Sequence, residues 1–419
     1  MKHEHIMFRW LFVLKFLVIL NLFIFVFMFF IYPEHWRIYF LINSTFVMSY
    51  LWFNYSRLLI QKIEIKEPQI KNTSYSVIVP CYNEEPRLLI ESVKSLINTD
   101  DLKKEILIVD DGSQNNIWET IIELKKSYPK LIKIYKQEKN MGKRFAHKIG
   151  IKNAKYDFVI SIDSDTIVEK NSIKNLLAPF QDENVGATTG NVLIKNENYN
   201  WLTRVQAGLY WLGLNVYKKG QSTQGNVVCC SGCLSAYRKS DLIKILDEYV
   251  YQTFGGQKCH ASEDRYLTNL INEMGKKILY VESAICYTEA PVTLKKFIRQ
   301  QIRWKRGFFR ECLYMTTFAY KKSKMLYFEN LVWMLMTPLI TMPLVLSTYF
   351  FIIFTPINFV LYSMPNLILF IVCRDSLFFI EEPKKAFFYL PYIVLYLFIL
   401  YPLNIYALFT LKDSSWMTR

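Results

Sequence analysis

A mostly parallel α/β domain inserted between α-helical transmembrane and interfacial segments is the fold class that this sequence predicts. Three observations predict it. Both ends of the chain are apolar around a charged centre, β-rich runs alternate with helix-period stretches through that centre, and carboxylates follow the ends of those runs.

The 419 residues are 52% hydrophobic and 21% charged, too apolar for an ordinary soluble enzyme and too charged for a pure helical membrane bundle. The net charge of +15 does not require nucleic acid, because Lys and Arg gather on the cytoplasmic side of membrane proteins and face anionic lipid. A lipid bilayer is therefore an expected partner and nucleic acid is not. The eight cysteines are scattered, and most lie in the centre, where a cytosolic location keeps thiols reduced. Cys230-Ser231-Gly232-Cys233 has Cys-x-x-Cys spacing, but no second pair follows at zinc-site spacing, so these cysteines are read as packing residues in a loop.

Residues 10–31 are apolar except for Lys15 and long enough to cross a bilayer. The run is too long for a signal peptide, no small-residue cleavage site follows, and a second apolar stretch runs from Ile38 to Phe53. Residues 1–60 are thus expected to form a transmembrane hairpin, with Lys2, Arg9 and the basic segment from Arg57 inside.

After a polar linker the texture changes. Tyr75–Val79, Glu105–Val109, Leu131–Tyr135 and Tyr156–Ile162 read as strands, and Arg87–Asn98 and Trp118–Ser127 carry helix-period apolar residues between them. Alternating βα units imply a mostly parallel sheet covered by helices, with ligands at the carboxyl ends of the strands. The first strand runs into Tyr82-Asn83-Glu84-Glu85, the second into Asp110-Asp111-Gly112-Ser113 and the fourth into Asp163-Ser164-Asp165. Asp163 and Asp165, two apart, point the same way and suit one hard cation, Mg²⁺ or Mn²⁺. Each piece alone is also a common turn or helix cap, but all three fall at strand ends.

No Gly-x-Gly-x-x-Gly or Walker loop is present, which disfavours a dinucleotide oxidoreductase. The run Lys139-Asn140-Met141-Gly142-Lys143-Arg144 either holds phosphate or is a solvated charged face.

Val79-Pro80-Cys81-Tyr82-Asn83-Glu84, Asp110-Asp111-Gly112-Ser113 and Asp163-Ser164-Asp165 are similar to the nucleotide-binding signatures of family 2 inverting glycosyltransferases. Glu263-Asp264-Arg265 resembles their catalytic-base motif, and Gln300-Gln301-Ile302-Arg303-Trp304 resembles the Gln-x-x-Arg-Trp signature of the processive members. The resemblance implies a GT-A-type catalytic domain over residues 61–290. In it Tyr82, Glu84, Asp110, Asp111 and Asp163, joined by Lys143 and Arg144, surround a nucleotide-sugar. Asp264 is the expected base, since a carboxylate can take the acceptor hydroxyl's proton during attack. Direct displacement at an α-linked UDP-sugar gives a β linkage.

Gln300, Arg303 and Trp304 stand at i, i+3 and i+4 on one helix face, where an aromatic ring and two polar side chains can meet a sugar. Residues 291–325, rich in Lys, Arg and Phe, are expected to form amphipathic interfacial helices; a helix packed on the domain with a solvated basic face is the alternative.

Cys230 to Arg238, Gln252-Thr253-Phe254 and Asp264 to Asn269 narrow the resemblance to the hyaluronan synthases. The terminal Trp416-Met417-Thr418-Arg419 is similar to their Trp-Gly-Thr-Arg, which implies diphosphate contacts for Trp416, Thr418 and Arg419. Cys259 matches a cysteine that many of them carry beside the acceptor sugar. The donors so implied are UDP-GlcNAc and UDP-GlcA, and the other partner is the growing polysaccharide. Departures stand beside the matches: Cys233 replaces Pro, Ser262-Glu263 replaces Gly-Asp, and Met417 replaces Gly. Glu-Asp-Arg also occurs in nodulation-type chitin-oligosaccharide synthases, so a polymer of UDP-GlcNAc alone is the alternative.

In residues 326–419, Leu331 to Phe354 and Ile357 to Cys373 read as membrane spans. Ala386 to Leu411 contains Pro391 and Pro402 and is expected to break into a re-entrant or double-pass element, leaving a cytoplasmic tail on a multi-pass cell-membrane protein. A channel would not explain the carboxylate-rich centre. A single-addition, lipid-linked transferase would not explain Gln300-x-x-Arg303-Trp304.

Overall fold

The computed structural model describes residues 73–99, 102–360, 364, 377–389 and 391–413, with isolated positions before residue 46. The chain divides into two compact units. One comprises Gln61–Tyr199 and Gly213–Pro291; the other comprises Met1–Ile60, Asn200–Leu212 and Val292–Arg419.

The first unit is built on an eight-stranded sheet. Its strands are β1 (Ser74–Cys81), β2 (Lys103–Asp110), β3 (Ile132–Lys136), β4 (Phe158–Ser161), β5 (Ile167–Val168), β6 (Val185–Ile194), β7 (Ser235–Arg238) and β10 (Lys277–Thr288), in the order β3-β2-β1-β4-β7-β6-β10-β5. A separate hairpin pairs β8 (Thr253–Phe254) with β9 (Gln257–Lys258). Only β7 and β5 run against the other strands of the large sheet. The parallel half forms because Val77, Ile78 and Val79 of β1 and Ile106 to Val109 of β2 are apolar on both faces, and helices cover both. One of these helices, Pro86–Ile97, starts with a proline in its first turn and buries Leu89, Val93 and Leu96 at helical spacing. All four expected strands form, and their carboxyl ends lead directly into the three acidic loops.

The helix Trp201–Leu212, which lies inside the expected domain limits, clusters instead with the second unit. Its aromatic face explains this. Trp211 packs on Phe378 with ring centroids 4.8 Å apart, Tyr210 lies 6.1 Å from Trp304, and Arg204 sits 4.4 Å over the Phe388 ring.

In the second unit, the helix Leu294–Met315 is capped by Thr293, whose hydroxyl accepts from the Lys296 amide. Among the described residues, Lys324–Phe354 and Pro383–Phe409 are helical stretches long and apolar enough to cross a membrane. In the second, the backbone is irregular where a break is expected. Pro391 does interrupt the helix at a turn, but helix resumes at Tyr392 and a π-helical turn at Tyr396–Leu400 leads into Tyr401–Phe409. The stretch is 27 residues long. Its end is tied to the helix Leu294–Met315: Lys305 Nζ donates to Asn404 Oδ1 at 2.6 Å, and Arg306 meets Asp413 at 2.7 Å and Thr410 at 3.0 Å. The N-terminal hairpin, most of Ile357 to Cys373, and Trp416, Thr418 and Arg419 lie outside the described residues.

Candidate active site

The acidic loops meet at the carboxyl edge of the sheet. Ser164 donates to Glu84 Oε2 at 2.5 Å, which joins the loop after β1 to the Asp163–Asp165 turn after β4. Asp110, at the end of β2, accepts from the Ser113 amide at 3.1 Å through Oδ1. Its buried Oδ2 has no hydrogen-bond partner among the described residues.

Asp111 faces the loop that follows β3. Its carboxylate accepts from the Met141 and Gly142 amides, each at 2.9 Å, and burial outweighs these bonds to push its carboxyl up to about 6. Asp111 thus holds the loop that starts the helix Lys143–Asn153. Gly112 follows in left-handed backbone at φ +72°, where an added Cβ would stand 2.4 Å from the Lys139 carbonyl carbon.

Lys143 is the centre of the site. Its ammonium lies 2.6 Å from Asp163 Oδ1 and 2.8 Å from Glu263 Oε1. Burial works against the charged lysine, but the two carboxylates win and hold its pKa well above the ordinary lysine range. Burial also works against ionised Glu263, and Lys143 overcomes it, drawing that carboxyl down to about 2. Asp264, next in the chain, goes the other way. Burial and the adjacent Glu263 charge raise its pKa, against the opposing effects of Lys143 and the Arg265 amide, which donates to Oδ1 at 2.7 Å. Two neighbouring carboxyls are therefore split into a buried acid anchored as the anion and a half-buried, more basic one.

A loop closes the cleft between these carboxylates. Cys229 Sγ lies 3.8 Å from Asp264 Oδ2 and Cys233 Sγ lies 3.5 Å from Asp163 Oδ2. Between them, Gly232 leaves open the space where a Cβ would stand 2.7 Å from Lys143 Nζ. Among the described residues no disulfide forms, and burial raises Cys229 to about 11 and Cys230 to about 12, so both are protonated thiols at neutral pH.

Ser262 caps the helix Glu263–Glu273 in left-handed backbone at φ +63°, without a side-chain cap hydrogen bond. Replacing it with glycine removes strain and loses no capping bond. Ser262→Gly is expected to stabilise the protein by about 1 kcal/mol, read as a rise in Tm.

Not every expected residue reaches this cleft. Arg144, one step along the helix from Lys143, turns about 100° away and is buried. It donates to the Tyr249 carbonyl at 2.7 Å and to Gln252 Oε1 at 2.6 Å, and stacks on Tyr249 and Tyr266. This arginine anchors the helix Lys239–Val250, which corrects its expected place beside a phosphate. Cys259 is buried, its amide donating to the Gln252 carbonyl at 3.0 Å. Tyr82 and Asp165 are half-buried in their loops. Gln300, Arg303 and Trp304 belong to the second unit, on the helix Leu294–Met315, with the Trp304 side chain exposed. Glu263 and Gly232 are the residues that sequence reasoning missed. Glu263 stood in the base motif without a role, because its partner Lys143 is distant in sequence.

The donor set suits a hard divalent cation. Asp163 and Asp165 offer oxygens from one turn, and the Lys143 ammonium already stands between Asp163 and Glu263 as a stand-in positive charge. Among the described residues no group of three or more His, Cys, Asp or Glu is arranged to hold a metal by itself. Two carboxylates by themselves leave most of such a cation's coordination sphere to other oxygen ligands.

Residues 76–246 match the family described as glycosyl transferase family 2. The chain is 32% identical over 352 residues to the hyaluronan synthase of Streptococcus pyogenes, covering 82% of this chain and 83% of that one. It is equally 32% identical to the N-acetylglucosaminyltransferase of Mesorhizobium japonicum, covering 83% of this chain and 82% of that one. In fold it is similar to a mannosyltransferase from Pyrobaculum calidifontis solved with GDP-mannose and Mn²⁺, with a TM-score of 0.61 and 16% identity over 90% of this chain and 98% of that one. Identity of this extent over four-fifths of the length shows the family: this chain belongs to glycosyl transferase family 2 and is a glycosyltransferase.

Proposed function

We propose that this glycosyltransferase is a processive, inverting synthase that polymerises UDP-sugars into a β-linked extracellular polysaccharide, hyaluronan made from UDP-GlcNAc and UDP-GlcA. The observation that carries the reading is the split pair at the cleft: Glu263 fixed as an anion on Lys143, and Asp264 beside it with its basicity raised.

Asp264 takes the acceptor hydroxyl's proton as the oxygen attacks the anomeric carbon. The new C–O bond forms while the bond to the diphosphate breaks, and UDP leaves with the electron pair. A raised pKa makes Asp264 a better base than an ordinary aspartate, provided that it is ionised. Lys143, at the positively polarised start of its helix, faces the leaving diphosphate. The buried, unpartnered Asp110 Oδ2 suits an N–H or O–H of the nucleoside. Asp163 and Asp165 would hold Mg²⁺ or Mn²⁺, which supplies charge neutralisation to the departing diphosphate.

Trp304 offers an exposed ring to the acceptor sugar, and Gln300 carries a buried Oε1 with no partner among the described residues. Repeated addition requires such a grip on the product between turnovers. The two apolar helices support a membrane location, in which the catalytic domain is proposed to face the cytoplasm. The Arg306–Asp413 pair holds Asp413 beside the helix Leu294–Met315, and the diphosphate contacts proposed for Trp416, Thr418 and Arg419 rest on the terminal motif alone.

The even match to an N-acetylglucosaminyltransferase favours the second reading, a chitin-type polymer from UDP-GlcNAc alone. Purified protein given each donor singly and both together distinguishes the two. The expected result is polymer only with both donors, digestible by hyaluronidase; polymer from UDP-GlcNAc alone would establish the alternative.

A further inference from the structure

We infer that Lys143 is an exchangeable counter-ion, whose ammonium takes the place of the divalent cation at Asp163 while no donor is bound and passes to the diphosphate when metal and nucleotide enter together. The inference rests on the proposed metal-assisted reading of the same cleft. Lys143 Nζ is 2.6 Å from Asp163 and 2.8 Å from Glu263, and Glu263 is buried. Left without a cation, two carboxylates this close would repel each other in a poorly solvated cleft. The chain therefore supplies its own.

The same contact obstructs metal. An ammonium on Asp163 Oδ1 and a divalent cation on the same carboxylate are like charges at bonding distance, so a cation arriving alone must displace the lysine without compensation. A donor changes this balance, because its diphosphate offers the displaced ammonium a new anion. The exchange needs no backbone movement. The lysine stem is long and flexible, whereas its helix start is fixed by the Gly142 amide on Asp111. Gly232 leaves room around the ammonium that any side chain would fill. The charged groups that act on the lysine are Asp163 and Glu263; Asp264, farther along the same helix start as Glu263, feels the lysine as a lowering influence.

Metal and nucleotide binding should then be cooperative, each strengthening the other by the same factor. The test measures Mn²⁺ binding by the electron paramagnetic resonance of free Mn²⁺, and Tm with Mn²⁺, on the full chain with and without UDP. In the native protein UDP is expected to tighten Mn²⁺ binding by roughly ten-fold or more. In Lys143→Met and Lys143→Gln, Mn²⁺ alone should bind roughly ten-fold more tightly than in the native protein and raise Tm further, and the UDP effect should shrink toward none. Neutral variants that bind Mn²⁺ alone no more tightly than the native protein would overturn the inference while leaving the metal reading intact. A native protein that binds no Mn²⁺ even with UDP would overturn both.

Discussion

Asp264→Asn is expected to lower polymer formation by about 10²- to 10⁴-fold, the usual contribution of a general base, with UDP affinity and fold retained. Asparagine keeps the shape and still accepts from the Arg265 amide, but it cannot take the acceptor's proton. The pH dependence has a definite sign. A base must be ionised, and burial with the Glu263 charge raises the Asp264 pKa, so the acid limb of kcat lies at higher pH than for an ordinary aspartate and activity is lost as pH falls through it. Glu263→Gln removes one of those two causes. Its acid limb should move to lower pH while activity at the plateau also falls, because Lys143 loses an anchor. Rate against pH for the native protein and Glu263→Gln checks both statements.

Gly112→Ala is expected to be the most destabilising single change near the cleft. Left-handed backbone costs a side chain about 1–2 kcal/mol, and crowding a packed site adds about 1–3 kcal/mol. Here the obstacle is the backbone of Lys139 and Asn140, within 2.7 Å of the added carbon, which cannot rotate aside. The loop held by Asp111 would have to move, and Lys143 with it. A fall in Tm of roughly 5–15 °C is expected, with weaker UDP binding. Gly256→Ala is the control. It too has positive φ, at +79°, but nothing lies within 4 Å of its added carbon, so only the backbone cost applies.

The parallel sheet and its acidic rim were legible because they follow from local rules: apolar β runs at regular spacing, helix-period segments between them, and carboxylates where each strand stops. Glu84, Asp110, Asp111 and Asp163 were found on that basis and do lie at the carboxyl edge of the sheet. What each one does was less legible. Asp111 spends both oxygens on the Met141 and Gly142 amides, and Arg144 spends its guanidinium on Tyr249 and Gln252, partners that only the folded chain supplies. The Lys143–Glu263 pair was hidden for the same reason, since no periodicity connects a loop after β3 with a helix before β10. Trp201–Leu212 falls within the expected limits of the catalytic domain, 61–290, but its face is filled by Phe378, Phe388 and Trp304, which lie far along the chain. Pro391 and Pro402 do mark irregular backbone, a turn at Pro391 and a π-helical turn at Tyr396–Leu400 ahead of Pro402.

An experimental structure with UDP and Mn²⁺ bound is the most direct measurement of the central claim, that the acidic edge of the sheet is the donor site. Mn²⁺ located by its anomalous signal on Asp163 or Asp165, with the diphosphate against it and Asp264 facing the open side of the cleft, is the predicted result. UDP bound away from the carboxyl ends of β1, β2 and β4, or Mn²⁺ touching neither aspartate, would contradict it.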